Sequence, residues 1–433
     1  MSEDHRASAI LMALILLLPA YQIRWTIGGI PITLLELGIL LLAVTAIFIL
    51  PPQHSLKARL QYFFTLEHPL LVIVIAVFIC STTAAAILSP QTIAAAGLWK
   101  AYIIEAVLAF YIVRRVSRSI EYPLQRISVA SSALLMIMGI VAVIQYIHPS
   151  GITIGDHQLF GITDPLWSAR STFRATSVFE YPNALGLLSA PLTVLVGTMI
   201  TWYGFQAVLA LGFVAGLLCI SLANSNGAML AVAIGLCSLC ILPRLTTDRR
   251  RAVLGIVGIL FLIAPFIPSR GLLAPILKTS PSGILRTEQY EETRTLLRAY
   301  PLFGGGLGNY PYAIAPVHNT AQSGLPFLYP HNIILALWSE FGFFGLLSTL
   351  LLVVLTIRSL LRSVDKRPDA WILLATWLTL IIHGLVDVPY FKNDLAIFFW
   401  ILMALSWSVP RARSFETQSD RAQILASPTS NHA

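Results

Sequence analysis

Long apolar runs recur along the whole chain and are separated by polar stretches. A transmembrane helix needs about 17–25 mostly apolar residues, and about twelve of the runs approach or reach this length. They predict helices at residues 8–23, 30–50, 70–89, 94–113, 127–147, 184–202, 205–222, 227–242, 252–269, 331–357, 370–387 and 392–409. The pattern predicts an all-α integral membrane protein in which residues 1–433 form a single polytopic domain of about twelve transmembrane helices.

Composition and charge support this prediction. Of the 433 residues, 57% are hydrophobic and 11% are charged, whereas soluble proteins carry about 25% charged residues. The net charge of +8 comes from cations in every second predicted loop. Such loops stay in the cytoplasm, so the charge indicates sidedness rather than nucleic-acid binding and places both termini inside. The clusters are Lys57/Arg59, Arg114/Arg115/Arg118/Arg126, Arg244/Arg249/Arg250/Arg251, Arg358/Arg362/Lys366/Arg367 and Arg411/Arg413. The first apolar run lacks a small-residue cleavage site, so we expect a retained helix.

Two of the predicted outward loops are long, at residues 148–183 and 270–330, and they flank the central spans 184–269. Within the second loop, residues 284–300 have the periodicity of an amphipathic helix, which ends before Pro301 and a glycine-rich stretch. The C-terminal spans cover residues 331–409. We expect the polar tail 410–433 to be a disordered cytoplasmic end.

The stretch Tyr329-Pro330-His331-Asn332 leads directly into the tenth predicted span. Pro330 stops a preceding helix, and Asn332 can cap the next one. The positive end of that helix favours a neutral imidazole, which can accept a proton from a hydroxyl. His331 is therefore a candidate general base. The alternative is a capping or interfacial histidine without chemistry.

Other ionisable residues fall inside the predicted spans, where they are costly and therefore candidates for function. Glu340 is expected to contact substrate, to orient a neighbour, or to pair with Lys100 or an arginine. His383 and Asp387 are four residues apart, which predicts a hydrogen-bonded pair on one helix face rather than a metal site.

Five arginines in the outward loops depart from the usual placement of cations inside. They are Arg170, Arg174, Arg286, Arg294 and Arg298. Guanidinium groups suit bidentate contacts to phosphate, so the set indicates an anionic ligand. Salt bridges to neighbouring glutamates are the alternative for any one of them.

Three stretches carry a resemblance to a known family. They are Arg174 to Asn183 with its Pro-Asn end, Arg286 to Tyr310 with Pro-Leu-Phe-Gly-Gly-Gly-Leu-Gly, and Pro330-His331-Asn332 followed by Glu340, Gly342 and Gly345. In this order they resemble the O-antigen ligase and polymerase family (Wzy_C type, WaaL-like). The resemblance is to membrane glycosyltransferases and extends from about residue 170 to 350.

The resemblance implies a GT-C-type inverting enzyme in the bacterial inner membrane, active on the periplasmic side without a metal or other cofactor. The donor would be an undecaprenyl-diphosphate-linked glycan, and the acceptor lipid A–core or a growing glycan. His331 would activate the acceptor hydroxyl. Arg174 and Arg286, with Arg294 or Arg170, would hold the diphosphate, and Asn332, Glu340 and Asn183 would support the site.

One departure concerns the middle of the chain. Family members often carry an arginine after a Ser-rich turn, whereas this chain has Asn224 and Asn226 there. Which of the arginines hold the diphosphate is therefore open.

Several functions compete with ligation. A polymerase would join repeat units on the lipid carrier, and a protein O-oligosaccharyltransferase would modify a protein hydroxyl. The compact length disfavours the last. A twelve-span transporter of the major-facilitator type would carry its long loop in the cytoplasm between spans 6 and 7, whereas the long loop here is predicted outside, between spans 9 and 10.

Overall fold

The computed structural model describes residues 3–27, 30–49, 55–154, 157–159, 161, 173–204, 206–263, 281–318, 327–365, 367 and 369–408. The chain within these ranges is almost entirely helical. The helices are α1 (Glu3–Leu16), α2 (Leu34–Ile49), α3 (Leu56–Phe64), α4 (Pro69–Ile87), α5 (Thr92–Trp99), α6 (Glu105–Ser117), α7 (Pro123–Ile147), α8 (Pro182–Tyr203), α9 (Ala207–Leu222), α10 (Asn226–Ile241), α11 (Thr247–Ile263), α12 (Pro281–Ala299), α13 (Tyr310–Ile314), α14 (Ile333–Ser363), α15 (Asp369–Gly384) and α16 (Asn393–Trp407). A π-helical turn, Lys100–Ile104, joins α5 to α6.

Each predicted apolar run carries a helix, so the helical fold class is confirmed. Six stretches within the described ranges are long and apolar enough to cross a membrane: Pro69–Ile87, Thr92–Ser117, Pro123–Ile147, Pro182–Trp202, Asn226–Arg244 and Ile333–Ser363. Four shorter apolar helices accompany them. These helices suggest a multi-pass membrane protein, and the count of twelve crossings stays a prediction.

Two short antiparallel hairpins interrupt the helical pattern. Strand β1 (Arg24–Ile27) pairs with β2 (Ile30–Thr33), which occupies the start of the run predicted as a span at 30–50. Strands β3 (Ile152–Ile154) and β4 (His157–Leu159) pair within the predicted outward loop 148–183. The first hairpin contacts the segment before α8 through an exposed ion pair between Arg24 and Glu180 at 2.5 Å.

Small residues allow the central helices to approach closely. α9 packs against α7 and α8. A Cβ on Gly212 would collide with Ser132 of α7, and one on Gly216 would collide with Thr193 of α8. Association of apolar helices in a membrane depends on such close packing, because lipid tails remove the hydrophobic driving force.

Two boundaries that shape the site differ from the predictions. α15 ends at Gly384 rather than near residue 387, and α14 runs to Ser363 with non-helical backbone at Gly342. The predicted tail 410–433 and Arg170 lie outside the described residues.

Candidate active site

His331 lies at the start of α14, in the position that the sequence predicted. The Asn332 side chain accepts hydrogen bonds from the amides of Ile334 and Leu335 at 3.0 and 3.2 Å, which confirms it as the helix cap. The Asn332 amide group also donates to the Leu385 carbonyl at 3.0 Å and so fixes α14 to the segment that follows α15.

The backbone of His331 is strained. Its φ of +30° lies in a region that L-residues rarely adopt. Such a conformation costs about 1–3 kcal/mol and persists only where the surroundings impose it, which is typical of functional sites. The other two non-glycine residues of the described chain with positive φ are Ser177 and Asn224. They lie in the two segments that position Arg174.

Asp387 is the hydrogen-bond partner of His331. The imidazole Nδ1 lies 3.2 Å from Asp387 Oδ1, and the two side chains are 24% and 3% exposed. The predicted His383–Asp387 side-chain pair is wrong, because α15 ends at Gly384 and the chain turns before Asp387. The hydrogen bond between the two residues is formed by the backbone, with the Asp387 amide donating to the His383 carbonyl at 3.0 Å.

The ionisation of Asp387 determines the tautomer of His331. Burial raises the pKa of Asp387, but the hydrogen bond and charge of His331, the charge of His383 and the hydrogen bond from the Val388 amide together hold it below the ordinary value. The carboxylate is therefore ionised near neutral pH and can only accept a hydrogen bond. Nδ1 of His331 must carry a proton, so Nε2 is the nitrogen that accepts a proton when the ring is in its neutral form.

Helix α12 docks directly onto this pair. Arg286 Nε donates to the Val386 carbonyl at 3.0 Å, one residue before Asp387. One turn further along α12, the Tyr290 hydroxyl lies 3.2 Å from the His331 carbonyl oxygen and 3.0 Å from that of Leu385. Burial raises the pKa of Tyr290 to about 12, so this phenol stays neutral.

Arg174 reaches the same region from the segment before α8. Its Nε donates to the Ala223 carbonyl at 2.9 Å, and its Nη2 donates to Asn183 Oδ1 at 2.6 Å. Burial lowers the pKa of Arg174, the charge of Asp387 raises it, and the charge of Arg286 lowers it further. The guanidinium group of Arg174 therefore lies within electrostatic range of both Asp387 and Arg286.

The turn in which Asn224 and Asn226 replace the expected arginine binds the Arg174 segment through its backbone. Besides the Ala223 carbonyl, the Leu222 carbonyl accepts from the Ala175 amide at 2.8 Å. Asn224 adopts a φ of +48°, which asparagine tolerates better than most residues. The turn thus orients Arg174.

Arg294 has a different environment from Arg286. It forms a salt bridge with Glu291 at 2.9 Å, and its Nε donates to the Tyr290 carbonyl, both on its own helix. A salt bridge to a neighbouring glutamate is the alternative to ligand binding that the sequence left open for any single arginine. Arg298 is exposed at the end of α12.

Glu340 binds backbone rather than a cation. Its Oε2 accepts from the Gly308 amide at 2.5 Å, and it is 8% exposed. The suggested partner, Lys100, instead pairs with Glu36 at 2.8 Å. Among the three roles that the sequence allowed for Glu340, the contact favours the orientation of a neighbour.

Sequence reasoning missed Asp387 as the partner of His331 and missed Tyr290 entirely. The available signal for Asp387 was its position as the last residue of the predicted span 370–387, at the outward end of that span. The signal for Tyr290 was its position one turn after Arg286 on the same helix face.

Residues 211–350 match the family model described as O-antigen ligase, Wzy_C. The match confirms the resemblance over this segment, which contains Arg286, the glycine-rich stretch, His331 and Glu340. Arg174 and Asp387 lie outside it, so their inclusion in the site rests on geometry. No curated protein matches the chain. Members of this family are membrane glycosyltransferase-like enzymes that act on lipid-linked glycans.

Proposed function

We propose that the chain is an O-antigen ligase-like glycosyltransferase of the bacterial inner membrane. It transfers a glycan from an undecaprenyl-diphosphate carrier to a hydroxyl of lipid A–core at the periplasmic face. The observation that carries the proposal is the carboxylate-bound imidazole of His331 and Asp387, with the Arg286 guanidinium hydrogen-bonded to the adjacent Val386 carbonyl and Arg174 within electrostatic range of Asp387.

The arginines serve the donor. Guanidinium groups bind diphosphate oxygens in bidentate geometry, and both side chains are fixed by hydrogen bonds to backbone carbonyls. When the bond between the anomeric carbon and the phosphate oxygen breaks, its electron pair passes to the diphosphate. Preorganised cations stabilise the charge that develops there, and this is usually a large part of a rate enhancement.

His331 serves the acceptor. Nε2 takes the proton of the acceptor hydroxyl as its oxygen forms the new bond to the anomeric carbon on the face opposite the diphosphate. This displacement inverts the anomeric configuration. Asp387 holds the ring in the required tautomer and stabilises the imidazolium that forms. Asn332 and Asn183 support the site by holding His331 and Arg174 in place.

The sidedness of the site is part of the proposal. Arg358 and Arg362 lie near the C-terminal end of α14, opposite His331 at its start. Because cationic loops stay in the cytoplasm, His331 would face the periplasm, and both termini would lie inside.

Reconstitution tests the proposed function. Purified protein is incubated in lipid with an undecaprenyl-diphosphate-linked glycan and lipid A–core, and the products are separated by mass spectrometry. We expect glycosylated lipid A–core. Extension of the glycan on its lipid carrier alone would indicate a polymerase, and no turnover of the donor with either acceptor would contradict the proposal.

A further inference from the structure

Helix α14 consists of two segments. Gly342 has φ +72° and ψ 178°, which breaks the helix inside its span. The short segment (residues 333–341) follows His331. The long segment (residues 343–363) extends for about 31 Å at 1.5 Å per residue, close to the thickness of the hydrocarbon core of a bilayer. The long segment is therefore sufficient to cross the membrane by itself.

Residues 301–308, the glycine turn, fill the break. The Phe343 amide donates to the Leu302 carbonyl at 2.9 Å, and the Gly305 amide donates to the Ser339 carbonyl at 2.7 Å. The Trp338 indole donates to the Pro301 carbonyl at 2.7 Å. Non-helical backbone is tolerated at membrane depth only when protein groups satisfy it, and the turn supplies those groups.

The contact between the turn and the break leaves no room for side chains. A Cβ on Gly304 would lie 2.4 Å from the Trp338 carbonyl oxygen, and one on Gly342 would lie 2.6 Å from the Leu302 carbonyl oxygen. Both glycines also have positive φ. A Cβ on Gly308 would meet the end of the Leu98 side chain of α5, so the turn contacts α5 as well as α14.

The tip of the turn is apolar and exposed. Leu302 and Phe303 are 51% and 54% exposed, and at the start of the long segment Phe343 and Phe344 are 39% and 55% exposed. These four residues form the apolar tip patch. The patch continues along the long segment into further exposed apolar residues, Leu347, Leu351 and Val354.

We propose that the glycine turn is a re-entrant element whose apolar tip patch lies in the outer leaflet of the bilayer. The partner is lipid at the boundary between headgroups and acyl chains, where amphipathic elements bury their apolar side chains. Two observations favour lipid over a protein partner. The patch is continuous with the exposed face of a segment of bilayer length, and the Phe343–Leu302 hydrogen bond fixes the tip at the beginning of that segment.

The inference extends beyond glycan transfer and does not depend on it. Part of the long outward loop, residues 301–308, would belong to the membrane. The turn follows α12 directly, so its insertion would fix the C-terminal end of that helix at the membrane surface. Arg286, on the same helix, would then lie at a set height above the leaflet.

Depth measurements by electron paramagnetic resonance test the placement. Cys80, Cys219, Cys237 and Cys240 are first replaced by alanine. Single cysteines are then introduced as Phe303→Cys and Phe344→Cys, with Leu347→Cys as the lipid-facing control and Arg298→Cys, exposed at the end of α12, as the aqueous control. Each protein is spin-labelled in nanodiscs and exposed to oxygen and to a water-soluble nickel complex.

We expect the label at 303 to collide preferentially with oxygen, as at 344 and 347, and the label at 298 to collide preferentially with nickel. Preferential nickel collisions at 303 would place the tip in water and overturn the proposal. A label at 303 shielded from both agents would place a protein there, either a second copy or a partner, and would overturn it as well. Because the readout requires no turnover, a failure of the proposed function leaves it unaffected.

Discussion

The two ends of the short segment of α14 make different use of ionisable side chains. At the first end, His331 has a strained backbone, a carboxylate partner and a side chain that is 24% exposed. At the other end, Glu340 is buried, and its carboxylate accepts hydrogen bonds from the Gly308 amide of the glycine turn and from the Tyr310 amide that follows the turn. The first end carries a partly exposed imidazole paired with a carboxylate, and the other end uses its carboxylate to bind backbone amides beside the break in α14. This difference fits the proposed roles: the hydrogen bond to Asp387 engages His331 Nδ1 and leaves Nε2 for the acceptor, whereas the Glu340 carboxylate is engaged by backbone amides.

The largest expected effect is on His331. His331→Ala should lower kcat by about 10²–10⁴-fold, because the acceptor hydroxyl loses its proton acceptor. Initial rates in nanodiscs measure the effect, and a thermal-denaturation midpoint near that of the wild type shows that the fold is kept. His148→Ala, an exposed histidine at the end of α7, is the matched control and should keep its rate. A near-wild-type rate in His331→Ala would remove this residue from the chemistry.

The next largest effect is expected for Arg286, which we propose binds the diphosphate of the donor near His331. Arg286→Ala should lower kcat by about 10²–10³-fold, because a preorganised donor to the leaving diphosphate is lost. The same substitution at Arg298, exposed on the same helix, should change the rate by less than about twofold. Equal effects at the two positions would show that α12 contributes general positive charge rather than a specific contact.

Substitutions of Glu340 should affect the stability of the protein rather than its activity. Glu340→Leu leaves the Gly308 amide without its acceptor, which costs about 1–3 kcal/mol for a buried group. We expect a lower thermal-denaturation midpoint. Glu340→Gln keeps an acceptor oxygen and should recover most of the loss. If Glu340→Leu kept its midpoint but lost activity, Glu340 would belong with the chemistry, and the contrast between the two ends would fail.

The smallest expected effect is the pH dependence of stability from Asp387. Its pKa is lower in the folded protein than the value of about 3.9 expected when unfolded. Its contribution to stability is therefore fully present above about pH 4 and is lost as the pH falls through the folded value. The denaturation midpoint of the wild type should approach that of Asp387→Asn only below about pH 4. A gap between the two proteins that stayed constant down to pH 2 would contradict the ionised pair.

The sequence predicted those parts of this picture that depend on local pattern. Apolar run length located the helices, and Pro330 with Asn332 marked the start of α14. The pattern missed the early end of α15, because Leu385 and Val386 continue its apolar run. It also missed the break at Gly342, since the hydrogen bonds that stabilise the break come from residues 302–305, remote in sequence. Pairings such as His331–Asp387 arise from turns that no periodicity reveals.

The central claim is that His331 and Asp387 act as one unit on the acceptor, and a double-mutant cycle tests it most directly. Initial rates of glycan transfer are measured for the wild type, His331→Ala, Asp387→Asn and the double variant. The account predicts that Asp387→Asn alone is slow and that adding it to His331→Ala costs little more, because groups that act as a unit are strongly non-additive. Two losses that simply multiply would show that Asp387 acts independently of the imidazole and would contradict the account.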